Sequence, residues 1–192
     1  MNNRKERVLF SSEEINKKNI ELGKEISRYY SGKSLVVISL LRGSFIFAAD
    51  LVREITIPVE IDFMTTSSYG NEEESSGVVE IVTDIRCDVE GKEVLIVDDI
   101  MDSGYTMNEV IKHIKGKNPN SIKTCVLLDK YSRREVELQP DYAGFKIPDV
   151  FIVGYGLNYG EYYRNVPYIY TYDDSNWGIF LSFLSYQVFH RV

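Results

Sequence analysis

Apolar residues follow two periodicities along the chain, and together they predict strands that alternate with helices. Residues 35–41 form a continuous apolar run, which is typical of a strand buried on both faces of a parallel sheet. Two further runs of this kind cover residues 94–97 and 122–128. Residues 103–115 carry Met, Val and Ile at spacings of three and four, as one helix face requires. A strand, a helix and a strand in this order form a crossover, so we predict an α/β protein with a doubly wound, central parallel sheet.

The remaining segments extend this architecture in both directions. Residues 11–14 read Ser-Ser-Glu-Glu, a capping box, and apolar residues at helical spacing follow it as far as Tyr29. Helix formers predict a second helix over residues 45–55. Residues 65–77 are rich in Ser, Thr, Gly and Glu and predict a long loop. We predict three more strands, over residues 57–63, 78–85 and 151–153.

Composition and charge narrow the class of protein. The 192 residues suit a single domain over residues 1–192, and 44% hydrophobic with 27% charged residues is ordinary globular composition. Lys and Arg number 22 against 29 Asp and Glu, which gives a formal charge of -7. Proteins that bind nucleic acid or anionic membranes normally carry the opposite excess, so we expect neither partner. An anionic ligand would need local donors, a metal, or both.

Cysteine usage and the chain ends point to the cytoplasm. Cys87 and Cys125 are far apart and form no CxxC pair, so a disulfide framework is not expected. The basic residues near the N-terminus are not followed by the apolar run of a signal peptide. The apolar stretch over residues 177–189 has 13 residues, whereas a membrane-spanning helix needs about 20. We expect a soluble, cytoplasmic protein.

Candidate chemistry concentrates after the strand at residues 94–97, where residues 98–106 read Asp-Asp-Ile-Met-Asp-Ser-Gly-Tyr-Thr. Ligands of open α/β sheets bind at the carboxyl ends of strands, and the free amides of a helix N-terminus suit a phosphate. Gly104 would let the backbone approach it, and the hydroxyls of Ser103 and Thr106 could donate. Taken singly, an Asp before a helix is more often an N-cap and Ser-Gly a turn. All three acids together with this turn are harder to explain in that way, and beside a phosphate they would have to meet sugar hydroxyls or a hard cation such as Mg²⁺.

Residues 98–106 closely resemble the motif of type I phosphoribosyltransferases that binds 5-phosphoribosyl-1-pyrophosphate (PRPP). The likeness runs from about residue 8 to residue 170 and is strongest to the hypoxanthine-guanine branch of that family. Five more regions carry it, namely the pyrophosphate loop at 41–45, the mobile catalytic loop at 68–70, the base-binding segments at 127–130 and 147–156, and the closing motif at 162–168.

The resemblance implies a fold and a reaction. The fold would be the type I phosphoribosyltransferase fold, with a small hood built from N- and C-terminal segments. The reaction would be purine salvage, in which the phosphoribosyl group of PRPP moves to N9 of hypoxanthine or guanine and gives IMP or GMP. Two alternatives stay open, a xanthine-preferring enzyme and a non-catalytic regulator that senses PRPP and binds nucleic acid. The regulator would need a basic face or an added helix-turn-helix, and neither is visible.

The resemblance also implies roles for the residues of the PRPP motif. Asp102 matches the acid beside purine N7, where a carboxylate can accept the N7 proton as general base. Asp98 and Asp99 match the pair that holds the ribose 2′ and 3′ hydroxyls. The cradle for the 5′-phosphate would consist of Ser103, Gly104, Tyr105 and Thr106.

Three other residues match positions that bind the base. Lys130 matches the lysine that donates to purine O6, and an ammonium has donors only, which selects a 6-oxopurine. Phe151 matches the aromatic residue that stacks on the base, and Ile152 the neighbour whose backbone meets the purine edge. Without the resemblance, Lys130 would equally well be a solvated cation, and Phe151 would more often be a core residue.

Pyrophosphate would be bound by five residues, Arg42, Gly43, Ser68, Tyr69 and Arg164. A guanidinium fork suits such an anion. Arg42 stands where lysine is common in the family. Because the family binds pyrophosphate there largely through the backbone of a non-proline cis peptide, we expect the change to be tolerated.

The expected cofactor is Mg²⁺, with Asp98, Asp99 and Asn158 as the implied ligands. Asn158 stands where the family usually has aspartate, which binds the second magnesium and neighbours the purine 2-position. An amide oxygen can coordinate magnesium but brings no charge, so second-metal binding and guanine handling stay open.

The implied partners are PRPP and a 6-oxopurine, in a homodimer or homotetramer. Residues 171–192 extend past the usual end of the family and carry an apolar, aromatic set. We expect this extension to pack on its own domain or on a neighbouring subunit.

Overall fold

The computed structural model describes residues 6–68 and 79–172. Within them lie eight strands and three α-helices. The strands are β1 (Glu6–Phe10), β2 (Leu35–Leu41), β3 (Val59–Ser68), β4 (Val79–Thr83), β5 (Glu93–Met101), β6 (Ser121–Asp129), β7 (Tyr142–Lys146) and β8 (Ile169–Tyr172). The helices are α1 (Ser12–Tyr29), α2 (Phe45–Glu54) and α3 (Tyr105–Lys115), with a short 3₁₀ turn at Tyr131–Arg133.

Six strands form a central sheet in the order β4-β3-β2-β5-β6-β7. All neighbours pair in parallel except β4, which runs antiparallel to β3. The predicted α/β class and parallel sheet are therefore confirmed. The predicted capping box is also present, since the Ser11 hydroxyl accepts from the Glu14 amide at 3.2 Å and the Glu14 carboxylate accepts from the Ser11 amide at 2.8 Å.

Helices cover both faces of the sheet. In β2 and β5 successive side chains point to opposite faces, so odd- and even-numbered residues enter different cores. The odd set packs with α1 and α2, and comprises Leu35, Val37, Leu95 and Val97. The even set packs with α3, and comprises Val36, Ile38, Leu40, Val94 and Ile96. Burial on both faces explains why these strands are continuous apolar runs in the sequence.

The two ends of the described chain form a separate antiparallel ribbon of β1 and β8, in which Glu6 lies opposite Tyr172. This ribbon is the small hood that the resemblance implied. One of its contacts with the rest of the molecule is at Val153, whose amide donates to the Tyr170 carbonyl at 2.9 Å and whose carbonyl accepts in return at 3.0 Å.

Several predicted elements need correction. The strand predicted over residues 151–153 is wrong, because only Val153 pairs, in an isolated bridge with Tyr170. This segment is apolar because Ile152 and Val153 are buried. The sixth strand of the sheet is instead β7, a short edge strand where no element was predicted. A Cβ on its Gly144 would lie 2.6 Å from the Leu127 carbonyl oxygen, so close strand packing requires glycine there.

Element boundaries also shift. The predicted loop at residues 65–77 begins later, because β3 continues to Ser68; residues 69–78 lie outside the described residues. Helix α3 begins at Tyr105 rather than at residue 103. No helix in residues 6–68 and 79–172 is long and apolar enough to cross a membrane.

Candidate active site

The turn between β5 and α3 is built to expose backbone amides. Gly104 is the N-cap of α3 and has φ of 89°, a left-handed conformation that favours glycine. A Cβ at this position would also lie 2.6 Å from Val136 Cγ2. No side chain caps the helix, so its first-turn amides remain available to a ligand. The predicted cradle therefore has the geometry of an anion site.

Asp98 and Asp99 stand next to this turn at the end of β5. The Asp99 amide donates to Asp98 Oδ1 at 3.0 Å. Burial and the neighbouring Asp99 charge hold the pKa of Asp98 well above its usual range, and burial raises the pKa of Asp99 as well. Two desolvated carboxyl groups side by side favour a cation or hydroxyl donors as their partner.

These acids fit a magnesium ion whose remaining ligands come from elsewhere. Among the described residues, no group of three or more His, Cys, Asp or Glu side chains could hold a metal. Mg²⁺ commonly binds through one or two carboxylates together with substrate phosphates and water, and Asp98 and Asp99 can supply those two. Asn158 lies on a different, exposed turn, where its side-chain amide donates to the Gly160 carbonyl at 2.6 Å.

The loop after β2 packs directly against Asp99. A Cβ on Gly43 would lie 2.0 Å from Asp99 Oδ2, and a Cβ on Gly156 would lie 2.1 Å from the Gly43 carbonyl oxygen. The Gly43 peptide is therefore held between Asp99 and Gly156 with no room for a side chain on either glycine. The peptide bond between Leu41 and Arg42 is cis, as the resemblance implied, and Arg42 itself is exposed.

Arg164 joins the same cluster through Gly156. Its Nη1 donates to the Gly156 carbonyl at 2.7 Å, and the Gly156 amide donates to the Arg164 carbonyl at 2.9 Å. Its charge acts against the burial that raises the pKa of Asp99. The structure thus brings Gly43, Asp99 and Arg164 together. Gly156 organises them and was missed as a site residue, although it lies inside a segment that carries the resemblance.

Tyr155 anchors this loop to two helices. It has φ of 52° and is buried. Its hydroxyl donates to Asp50 Oδ2 on α2 at 2.6 Å and accepts from Asn19 Nδ2 on α1 at 2.8 Å. Burial and the Asp50 carboxylate raise the pKa of Tyr155, so the phenol stays protonated. No sequence pattern marks the Asn19–Tyr155–Asp50 contacts, because the partners are far apart in the chain.

Asp102 and Lys130, the predicted base and O6 donor, also come together. Lys130 is buried, and its Nζ lies 3.8 Å from Asp102 Oδ2 and 3.4 Å from Asp149 Oδ1. Arg133 reaches the same two acids, with Nε 3.1 Å from Asp102 Oδ1 and Nη1 3.2 Å from Asp149 Oδ2. Sequence reasoning missed Arg133 and Asp149 as site residues. Asp149 lies within a base-binding segment, whereas nothing in the sequence distinguishes Arg133 from other surface arginines.

The predicted base platform lies just beyond Asp149. Phe151 is 52% exposed and meets Tyr159 edge to face, with ring centroids 5.5 Å apart. The neighbouring Ile152 is buried. An apolar ring held half in solvent is suited to stacking on a flat heterocycle. Of the remaining predicted residues, Ser68 ends β3 and Tyr69 lies outside the described residues.

Comparison with known proteins defines the class to which this fold and site belong. Residues 9–160 match the family model described as phosphoribosyl transferase domain. The hypoxanthine-guanine phosphoribosyltransferase of Aquifex aeolicus is 49% identical over 172 residues, which cover 89% of this chain and 97% of that one. The hypoxanthine phosphoribosyltransferase of Haemophilus influenzae is 49% identical over 165 residues, 84% of this chain and 92% of that one.

A solved structure agrees with these relatives. The hypoxanthine phosphoribosyltransferase of Staphylococcus aureus superposes with a TM-score of 0.85 at 42% identity, over 90% of this chain and 93% of that one. The chain therefore belongs to the phosphoribosyltransferase family, in its hypoxanthine-guanine branch. The family and the fold class expected from the sequence are confirmed.

Proposed function

We propose that the protein transfers the 5-phosphoribosyl group of PRPP to N9 of hypoxanthine or guanine, giving IMP or GMP and pyrophosphate. The observation that carries the proposal is the meeting of three parts at the carboxyl end of the sheet. These are the amide-rich turn at Gly104, the Gly43 loop beside Asp99, and the pair of Asp102 with Lys130. The names of the relatives support the same reaction.

The sugar phosphate is held by the turn after β5. The first-turn amides of α3 and the hydroxyls of Ser103 and Thr106 donate to the 5′-phosphate. Asp98 and Asp99 accept from the ribose 2′ and 3′ hydroxyls. Their burial disfavours two free negative charges, so ribose donors and a cation stabilise the ionised pair.

Pyrophosphate is the leaving group, and a different set of residues binds it. The backbone at Arg42 and Gly43 and the guanidinium of Arg164 bind it, and Ser68 and Tyr69 close over it and exclude water. Asp98 and Asp99 would hold Mg²⁺, which would supply neutralisation of charge on this leaving group. The bond from the anomeric carbon to pyrophosphate breaks with its electron pair on oxygen, and the purine N9 lone pair forms the new bond.

The base is recognised by the pair at the end of the site. Lys130 donates to O6, Phe151 stacks on the ring, and the Ile152 backbone meets the purine edge. Asp102 accepts the proton from N7 as N9 attacks. A buried ammonium offers donors alone, so a 6-amino group in place of O6 would leave Lys130 without an acceptor on the base.

The test is a turnover assay with PRPP and Mg²⁺ in which hypoxanthine, guanine, xanthine and adenine are offered in turn and nucleotide absorbance is followed. We expect turnover with hypoxanthine or guanine and none with adenine. Asp102→Asn should lower kcat by about 10²- to 10⁴-fold while purine binding is largely kept. Near-normal turnover of this variant would remove Asp102 as the base, and preference for xanthine would change the assigned substrate.

Two proposals concern the protein as a whole. We propose that residues 1–192 act as one domain, and that it works in the cytoplasm as a homodimer or homotetramer. Light scattering on the purified full-length chain measures the assembly state directly, and a monomer at micromolar concentration would contradict it.

A further inference from the structure

We propose that Arg133 and Asp149 are positioning residues that hold Lys130 and Asp102 at the spacing needed to receive the O6–N7 edge of a purine. This role rests on the function proposed above and names two residues that the resemblance does not assign. Arg133 and Asp149 contact Lys130 and Asp102, the two residues that meet the base, and they act on the base only through these two residues.

The geometry is a closed ring of alternating charge. Each carboxylate of Asp102 and Asp149 faces both cations, Lys130 and Arg133, at distances of 3.1, 3.2, 3.4 and 3.8 Å. The four residues come from three connections, after β5, β6 and β7. The ring therefore ties the turn that binds the sugar phosphate to both segments that bind the base, and its formal charges cancel.

The four links of the ring are unequal. The longest joins Lys130 Nζ to Asp102 Oδ2 at 3.8 Å and has no hydrogen bond, whereas Lys130 donates to Asp149 at 3.4 Å and Arg133 to Asp149 at 3.2 Å. A 6-oxopurine carries an acceptor, O6, beside N7 with its proton. It fits the long link, because O6 can accept from Lys130 while the N7 proton passes to Asp102. During this proton transfer, Arg133 and Asp149 keep Lys130 and Asp102 in place.

Arginine suits this position better than lysine does. Its planar fork presents Nε to one carboxylate and Nη1 to the other at the same time, which a single ammonium cannot do with the same geometry. Asp102 Oδ1 is buried and has no hydrogen-bond partner, so the nearby Arg133 charge is its main compensation. Removing that charge would leave the carboxylate free to turn away from N7.

The exposure of the Arg133 and Asp149 side chains distinguishes a positioning role from a role in stabilising the fold. The side chains of Arg133 and Asp149 are 48% and 52% exposed. Ion pairs this exposed add little to the free energy of unfolding. Loss of either residue should therefore change how the purine is handled while the fold and PRPP binding stay as they are.

The experiment compares wild type with Arg133→Gln, Asp149→Asn, the double variant and Arg133→Lys. We expect kcat/KM for hypoxanthine to fall roughly three- to tenfold in each single variant, with the KM for PRPP and Tm unchanged. The double variant should lose less than the two single losses combined, since either change already removes the link between Arg133 and Asp149. Arg133→Lys should restore part of the loss. Lys112→Gln, which removes an exposed cation from an ion pair on α3, is the matched control and should behave as wild type.

Each contrary outcome is distinct. An unchanged kcat/KM for hypoxanthine, equal changes for hypoxanthine and PRPP, or full additivity in the double variant would overturn the positioning role. Failure of the proposed function itself would appear instead as a wild-type protein without turnover.

Discussion

Replacing Tyr155 by Phe tests whether the pyrophosphate side of the site depends on a buried hydroxyl. The change removes the donor to Asp50 Oδ2 and the acceptor of Asn19 Nδ2, at 2.6 and 2.8 Å. Asn19 is 1% exposed, and its Oδ1 already has no hydrogen-bond partner. Its whole side-chain amide would then be buried without a protein partner.

The size of the effect follows from these partners. A hydrogen bond to a charged group contributes about 1.5–3 kcal/mol, and an unpaired buried amide costs about 1–3 kcal/mol. A cavity of about 320 Å³ adjoins Asn19, Asp50 and Tyr155. Water in it can hydrogen-bond the side chains of Asn19 and Asp50 after the hydroxyl is removed, so the summed loss of stability should lie at the lower end of these ranges. We expect a loss of about 2 kcal/mol, which corresponds to a Tm lower by about 4–8 °C in a chain of this size.

Of the two substrates, only PRPP should be bound more weakly by this variant. Tyr155 anchors the turn whose next residue, Gly156, contacts Gly43 and hydrogen-bonds Arg164. Loosening this turn should raise the KM for PRPP and leave the KM for hypoxanthine unchanged. Urea unfolding measures the stability of the variant, and steady-state kinetics measure its two KM values. The control is Tyr29→Phe, which changes an exposed tyrosine on α1. A destabilisation below about 0.5 kcal/mol, or equal rises in both KM values, would refute this reasoning.

Three further predictions concern other parts of the molecule. Gly43→Ala should lower stability by about 1–3 kcal/mol and greatly weaken PRPP binding, because its Cβ would collide with Asp99; unchanged PRPP affinity by calorimetry would contradict this. The hydrogen bond from Ser121 leads the effects that hold the pKa of buried Glu93 below its usual range. Glu93 therefore contributes stability above its unfolded pKa of about 4.3, and this is lost as pH falls through the lower folded value. Glu93→Gln should be less stable than wild type at pH 7 and approach it as pH falls below about 4.3; a constant difference would oppose this. Deleting residues 173–192, which lie outside the described residues, should lower Tm or alter the assembly state in light scattering, and no change in either would disprove that they pack.

The layers of the fold could be predicted from the sequence because each signal is local. Strands β2, β5 and β6 lie between helices, so their continuous apolar runs are distinctive. β7 was missed because an edge strand with partly buried residues and a glycine has no such run. Residues 151–153 were wrongly predicted as a strand, since burial alone does not show whether a backbone pairs. The pairing of β1 with β8 joins the two ends of the described residues and leaves no local pattern.

The candidate site divides in the same way. The PRPP motif could be found because its acids, glycine and hydroxyls lie within one short turn. Gly156, Tyr155 and Arg133 were not found, since each acts through residues distant in sequence. A single arginine or tyrosine has no pattern of its own until folding places its partners beside it. The role of Asn158 stays a prediction, because it is defined by contacts with a metal ion and a purine base and not by contacts within the protein.

The order in which the chain is made has a consequence for the hood. Strand β8 is the last described segment to leave the ribosome, and it pairs both with β1, the first, and with Val153 beside the base platform. A chain that stops before Ile169 contains all six strands of the sheet, but β1 and the platform lack their partner. We therefore expect such a fragment to bind sugar phosphate better than it binds purine.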